Sequence, residues 1–404
     1  MNNAAAAVQR KFTGNFTQQA PLPQAALTAA AEVLATGRLH RYNLVPGETG
    51  TVAALEAAYR DWQGSTYCLA VTSGGQALQI ALRAVGVKPG DAVLTNAFTL
   101  APVPGAIAAL GGKPELVEID ANLRLDLDDL AARIARSTAK VLLVSHMRGH
   151  LCDMDRLMQI CDAAGVTVIE DCAHTMGASW NGRKSGNFGA IGCFSTQTYK
   201  HINSGEGGLL TTDDPEIAAR ATIMSGSYML YPRHGAGPDD AAFARARYEM
   251  PNLSARMDAL RAALLIPQLE ALDHSIAAWN ARYDACAQAL RACNGLHLPQ
   301  RPAAERMVGS SIQFRAPGLD ANGCRALIDA AAARGVELKW FGAGDPAGFT
   351  SAHASWRYVD PQALPQTDRI MATLFDMRIP LSFSVLDCAF IGELIGEAYR
   401  EISA

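Results

Sequence analysis

The stretch KVLLVSHMRGHLCDMDRLMQICDAAGVTVIED, residues 140–171, decides the fold. Two short, nearly continuous apolar runs, KVLLVSHM and VTVIED, flank DMDRLMQICDAAG, whose apolar residues recur at helical spacing. Asp153 is a good N-cap and Gly165 a good stop for that helix, and Asp155 adds negative charge to its first turn. Strand, helix and strand in that order predict parallel strands in a sheet covered on both faces.

Working outward, the same alternation runs from Val71 to Thr212. GQALQIALRAVGV predicts a helix, DAVLTNAF a strand, PVPGAIAAL a helix, PELVEI a strand and LDDLAARIA a helix, and GAIGCFST and GLLTT predict two more strands. The expected fold class is α/β, with a mainly parallel sheet in a large domain of residues 1–265 that includes the N-terminal segment. Beyond it, the alanine-rich helix EALDHSIAAWNARYDACAQALRAC leads into SIQFRAPG and GCRALIDAAAARG, a smaller α+β domain over residues 266–404. The glycine, proline and aspartate content of residues 225–240 predicts an exposed loop.

The composition excludes several functions. With 49% hydrophobic residues in 404, the chain can bury a substantial core, and a net charge of −4 offers no basic face for nucleic acid and no polybasic membrane signal. No apolar run reaches membrane-spanning length and the start MNNAAAAVQRKFTGNF shows no secretory signal, so a cytoplasmic protein is expected. Nine cysteines without a C-x-x-C pair or a Cys/His cluster suit reduced core thiols and indicate no metal site.

In an open α/β sheet the ligand site lies at the carboxyl ends of the strands. Asp171 closes one such strand, and the period of two sends Glu170 to the opposite face. Read alone, Asp171 is equally well a helix cap or half of an ion pair. Ser73, Gly74 and Gly75 stand at the mouth of a helix, where free amides and the helix dipole favour an anion, although turn glycines explain them as well. Lys200 follows the strand run GAIGCFST and precedes the turn GEGG, a costly place for an ammonium unless it reaches water or is used. Together, a phosphate cradle, a strand-end acid and a lysine on the next connection meet the needs of pyridoxal 5′-phosphate: the lysine bonds to it, the acid keeps its ring nitrogen protonated and the helix mouth holds its phosphate.

Four motifs carry a resemblance to a known family: VTSGGQALQIAL, VIEDCAHTMGASWNGRKSGNFGAIGCFST, YKHINSGEGGLLTTDD and NLSARMDALRAALLIPQLEAL. In this order they make the chain similar to the DegT/DnrJ/EryC1/StrS aminotransferases, from about Gly37 to the C-terminal LPQTDRIMATLFDMRIPLSF. The resemblance implies fold-type I architecture, bound pyridoxal phosphate and a homodimer with a shared site. It also implies amino transfer from glutamate or glutamine to a keto or aldehyde group of a sugar or sugar-like acceptor, nucleotide-linked in many members.

Position by position, the resemblance implies Lys200 as the catalytic Schiff-base lysine, Asp171 as the partner of the ring nitrogen and His174 beside the phenolic oxygen. It places Ser195 with the Gly74 and Gly75 amides on the phosphate, and Phe98 where an aromatic stacks on the ring, with Leu100 at a position often aromatic. The family's Ser-Gly-Thr is here Ser73-Gly74-Gly75, and its partner-subunit asparagine aligns with Asn252 or Ser254. Some members are dehydratases with histidine in place of the lysine. Lys200 speaks against that, although His201 is adjacent, and lyase or cyclase chemistry remains an alternative that keeps the lysine. A non-catalytic regulator is the remote alternative, unsupported by any helix-turn-helix or basic arm.

His146, Arg148 and His150 follow a strand and belong either to the substrate mouth or to a capping network. Trp340 and Phe341 either pack on substrate or sit in the core.

Overall fold

A computed structural model describes residues 10–403; residues 1–9, most of the alanine-rich start, lie outside the described residues. The expected alternation is present element by element. The strands are β1 (Tyr67–Val71), β2 (Ala92–Asn96), β3 (Lys113–Val117), β4 (Val141–Ser145) and β5 (Thr167–Asp171), then β6 (Ser179–Trp180), β7 (Arg183–Lys184), β8 (Ile191–Ser195) and β9 (Gly208–Thr212). Seven of them form one sheet in the order β1-β9-β8-β5-β4-β2-β3. All pairings are parallel except those of β9, which runs against both β8 and β1, so six strands share one direction.

The strands alternate between two buried faces. Leu142, Val144 and Val168 belong to one core, and Val141, Leu143 and Ile169 to the other, as expected for a sheet covered on both sides. The crossover helix Met154–Ala164 starts on Asp153, whose carboxylate accepts from Arg156 N at 3.0 Å, and stops at Gly165 with φ 63°. Asp155 does more than polarise that helix, accepting from Trp180 Nε1 at 3.1 Å and Asn181 Nδ2 at 2.8 Å.

The C-terminal part adds β10 (Glu305–Arg306), which pairs with β6, and an antiparallel sheet of β11 (Ser311–Arg315), β12 (Lys339–Trp340) and β13 (Leu374–Arg378) in the order β11-β13-β12. Residue 265 lies within the helix Ala259–Glu270, and the break before the long helix Leu272–Arg291 comes at Ala271. The N-terminal Phe12 and Phe16 rings meet Phe383 edge-on, each at 4.9 Å, so the first described residues lie on the C-terminal part.

Residues 225–240 are only partly the exposed loop expected. Tyr228 and Met229 are exposed, but Ser225 and Gly226 end the buried helix Pro215–Gly226, and His234 is buried against Glu56, which Arg41 grips with two bonds of 2.8 Å. All nine cysteines are buried and unpaired, and among the described residues no helix is long and apolar enough to cross a membrane.

Candidate active site

The carboxyl ends of β4, β5 and β8 assemble the centre of the site. Ser145 and Asp171 are register partners across β4 and β5, so the Ser145 hydroxyl donates to Asp171 Oδ2 at 2.7 Å while the Ala173 amide donates to Oδ1 at 3.1 Å. Asn96, ending β2, ties this edge together: its Oδ1 accepts from Ser145 N at 2.8 Å and its Nδ2 donates to Ser145 O at 3.1 Å. Glu170 does point to the opposite face. It accepts from the amides of Gly186, Phe188 and Gly189 and pairs with His146 Nε2 at 2.9 Å, which places His146 in a buried network. Cys172 lies close to that pair, but the Glu170 carboxylate already holds four donors there.

Lys200 rides on the connection between β8 and β9. Gln268 clamps this connection, accepting from Asn203 N and donating to Asn203 O, both at 2.8 Å. His201 turns away from Lys200, bonding Ser310 Oγ at 3.1 Å and meeting the Trp279 ring edge-on at 5.3 Å. Lys200 Nζ lies 2.9 Å from His174 Nε2. Burial, with the positive charge of Arg148, pushes the Lys200 amine down to about 8, against the opposing pull of Asp171. Burial, with the charges of Lys200 and Arg148, holds His174 well below the usual imidazole range, so it stays neutral. Its Nδ1 accepts from Arg148 N at 3.4 Å, which leaves the ring proton on Nε2 to be donated to the uncharged lysine amine.

The helix mouth is built by three strands. Gly208 pairs with both Val71 and Ser195, which brings Ser195 beside the helix Gly74–Ala84 from far along the chain. A Cβ at Gly74 would stand 2.8 Å from Ser195 Cβ, so only glycine lets the strand end close on the helix. Ser73 spends its own hydroxyl capping the helix, accepting from Gln76 N at 3.1 Å. The amides of Gly74 and Gly75 thus remain at the positive helix end beside the Ser195 hydroxyl, which accepts from Gln197 N at 3.3 Å and keeps its own proton to donate.

The structure therefore brings Lys200, His174, Asp171, Ser195, Gly74 and Gly75 to one edge of the sheet. Phe98 it does not bring there. Phe98 is fully buried and meets Phe341 edge-on at 5.0 Å, while Leu100 from the same segment lines the cavity above Lys200. Phe341 is accordingly core, and Trp340 donates to Ala372 O at 2.8 Å. Asn252 and Ser254 are both exposed, with Asn252 Oδ1 accepting from Ser254 N at 2.9 Å and Ser254 Oγ 3.4 Å from the Tyr228 hydroxyl.

Sequence reading missed the far wall of the cavity. Tyr199, Lys339, Phe349 and Arg378 line it, and of the strand-end trio only Arg148 does so, held by Asp376 at 2.7 Å. His150 instead bonds Gln313 Oε1 at 2.8 Å in the interior. No local signal marks these residues, because Lys339 and Arg378 come from the second sheet and meet Lys200 only after the two parts dock.

Residues 27–385 match the DegT/DnrJ/EryC1/StrS aminotransferase family. Among curated proteins, the UDP-2-acetamido-2-deoxy-3-oxo-D-glucuronate aminotransferase of Pseudomonas aeruginosa is 35% identical over 56% of this chain and 60% of its own length. The L-glutamine:scyllo-inosose aminotransferase of Streptomyces griseus is 33% identical over 61% of this chain and 58% of its own length. The chain thus matches about six tenths of the length of these relatives. The crystal structure of 3-amino-5-hydroxybenzoic acid synthase superposes with a TM-score of 0.79 at 27% identity, covering 95% of this chain and 99% of the other.

Proposed function

Because the chain belongs to the DegT/DnrJ/EryC1/StrS aminotransferase family, we propose that it is a pyridoxal-phosphate-dependent aminotransferase acting on a keto or aldehyde group of a sugar-like acceptor. The fold is the one expected, fold-type I of the pyridoxal-phosphate-dependent transferases, with its mostly parallel sheet. The observation that carries the functional reading is Lys200 Nζ, 2.9 Å from a neutral His174 and under the pull of Asp171.

The residues present fit the cofactor. Gly74 and Gly75 amides and the Ser195 hydroxyl would hold its phosphate, Asp171 would keep its ring nitrogen protonated, and Leu100 would cover the ring where relatives often carry an aromatic. Once bound, pyridoxal phosphate supplies the electron sink that lets a proton leave the carbon bearing the amino group. Lys200 would hold the cofactor through Nζ and would carry that proton as a general base, a task suited to an amine pushed down to about 8. His174 orients Nζ. Ser145 and the Ala173 amide fix the Asp171 carboxylate by bonds to both oxygens. Glutamate or glutamine is the proposed donor, and the glutamine-using relative supports that choice.

Adding either amino acid to the loaded enzyme is expected to shift the cofactor absorbance and release one equivalent of keto acid. Loss of water from a deoxy-forming substrate, with no amine product on any carbonyl acceptor, would identify a dehydratase instead.

The cradle makes its own prediction. Gly74→Ala forces a methyl group against the fixed end of β8, and overpacking of this kind costs about 1–3 kcal/mol. Pyridoxal phosphate affinity for the stripped protein should fall by about tenfold, the equivalent of about 1.4 kcal/mol. Gly75→Ala, whose Cβ would lie 3.8 Å from Ser73 Oγ, should leave it nearly unchanged. Equal effects in a spectroscopic titration would refute the cradle.

We further read the enzyme as a homodimer, with the exposed Asn252-Ser254 turn reaching the neighbour's phosphate site. Sedimentation should find a dimer at working concentration, and an active monomer would contradict this. The nine unpaired thiols support a reducing, cytoplasmic setting. For the chain's division we keep a large unit to residue 265 and a small unit from 266, with the stretch around Phe12 lying on the small one.

A further inference from the structure

We propose that the amino acceptor carries a carboxylate, which Arg378 and Lys339 hold at the far wall of the Lys200 cavity. This rests on the aminotransferase reading above and names the substrate class for the same site.

Four basic side chains line the cavity, Arg148, Lys200, Lys339 and Arg378, and with Lys200 committed to the cofactor three remain as cations. Their placement follows from strand register. Gln313 and Lys339 are both partners of Asp376, from β11 and β12 on either side of β13, and Ser311 is the partner of Arg378. Asp376 and Arg378 are two apart on one strand and share a face, so Lys339 and Arg378 are diagonal neighbours, roughly 7–8 Å apart at the backbone. A carboxylate spans that distance between two long side chains.

The negative charge present does not balance these cations. Asp376 Oδ2 contacts Arg148 at 2.7 Å, and its Oδ1 accepts from Gln313 Nε2 at 2.9 Å. Among the described residues Arg378 has no carboxylate partner. Its guanidinium lies 3.6 Å from the centre of the Tyr199 ring, one residue from Lys200, and its Nη1 is buried without a hydrogen bond. Lys339 likewise makes no ion pair within 4.0 Å among the described residues, and lies 5.3 Å from the Phe349 ring centre. A buried guanidinium donor with no acceptor is costly unless a ligand supplies one.

Both half-reactions use this one cavity. A donor amino acid brings its own carboxylate, but after it leaves, a neutral ketone would again strand Arg378 Nη1. A site built around such a bond discriminates against an acceptor that cannot make it. The far wall lacks the backbone-amide cradle that the helix mouth offers a phosphate; its guanidinium and ammonium match the two oxygens of a carboxylate, and a phosphate-bearing acceptor is the alternative that the test decides.

The test starts from holoenzyme aminated with glutamate and compares 5-oxohexanoate, its neutral analogue 5-oxohexanamide, and dihydroxyacetone phosphate as acceptors. The acid should exceed the amide in kcat/KM by about tenfold or more, and in Arg378→Gln and Lys339→Met that ratio should fall toward one. Equal rates for acid and amide, a preference for the phosphate, or variants that leave the ratio intact would each overturn the proposal. Calorimetry with glutarate gives a readout independent of turnover: its affinity for the holoenzyme should fall about tenfold in either variant, while glutaramide should not bind. Unaltered glutarate binding in both variants overturns the proposal. Failure of glutamate to aminate the cofactor would strike the aminotransferase reading instead, and the glutarate titration would still judge the anion site.

Discussion

Lys200→Ala is expected to lower turnover by about a thousandfold or more and to abolish covalent retention of pyridoxal phosphate after borohydride reduction. A positioned acid-base group contributes roughly 10²–10⁴-fold, and Lys200 has the second task of tethering the cofactor. The cavity contains a competitor, since burial also pushes Lys339 down to about 8. What separates the two is their carboxylate: Asp171 acts on Lys200, whereas Asp376 acts on Lys339. A peptide map of reduced wild-type enzyme should therefore find the label on Lys200, and a label on Lys339 would reverse the assignment. The same amine sets a pH dependence. Below about 8 Lys200 is mostly an ammonium and cannot attack, so the rate of cofactor loading should rise about tenfold per pH unit and level off above about 8. A flat profile from pH 6 to 9 would contradict a buried, poised lysine.

Asp171→Asn is the second large effect, a loss of about tenfold or more in the proton-transfer step with the fold intact. The amide keeps the shape of the carboxylate: its oxygen accepts from Ala173 N, and its NH₂ meets the Ser145 hydroxyl, which can rotate to accept. What disappears is the negative charge. A partly buried opposite charge shifts a pKa by roughly 1–3 units, or about 1.4–4 kcal/mol, which bounds the direct loss at about ten- to a thousandfold. The variant should stay yellow and show a normal melting temperature. Wild-type turnover, with chemistry shown to limit the rate, would return Asp171 to the role of a strand-end cap.

The legibility of this site in the sequence follows the range of the forces involved. Asp171 and Lys200 were readable because each ends a segment whose period is set locally: β5 alternates its faces and so separates Asp171 from Glu170, and the turn after β8 presents Lys200. Gly74 was readable as a helix mouth, but its reason for being glycine, the approach of Ser195, depends on β9 inserting between β1 and β8. Phe98 and Leu100 show where local pattern fails. Past Asn96 the chain leaves the strand, alternation no longer dictates direction, and the aromatic goes to the core beside Phe341 while leucine faces the cavity.

The sequence by itself determined the α/β alternation, the strand end that carries Asp171 and the connection that carries Lys200. These rest on backbone periodicity and capping, which act over a few residues. Only the tertiary structure decided that Arg148 faces the cavity while His146 and His150 are buried in other bonds, and that Lys339 and Arg378 meet Lys200. Lys339 and Arg378 lie about 140–180 positions from Lys200 and reach its cavity through the register of a second sheet, and the charge balance that makes an anion site exists only once they share one low-dielectric space with Arg148.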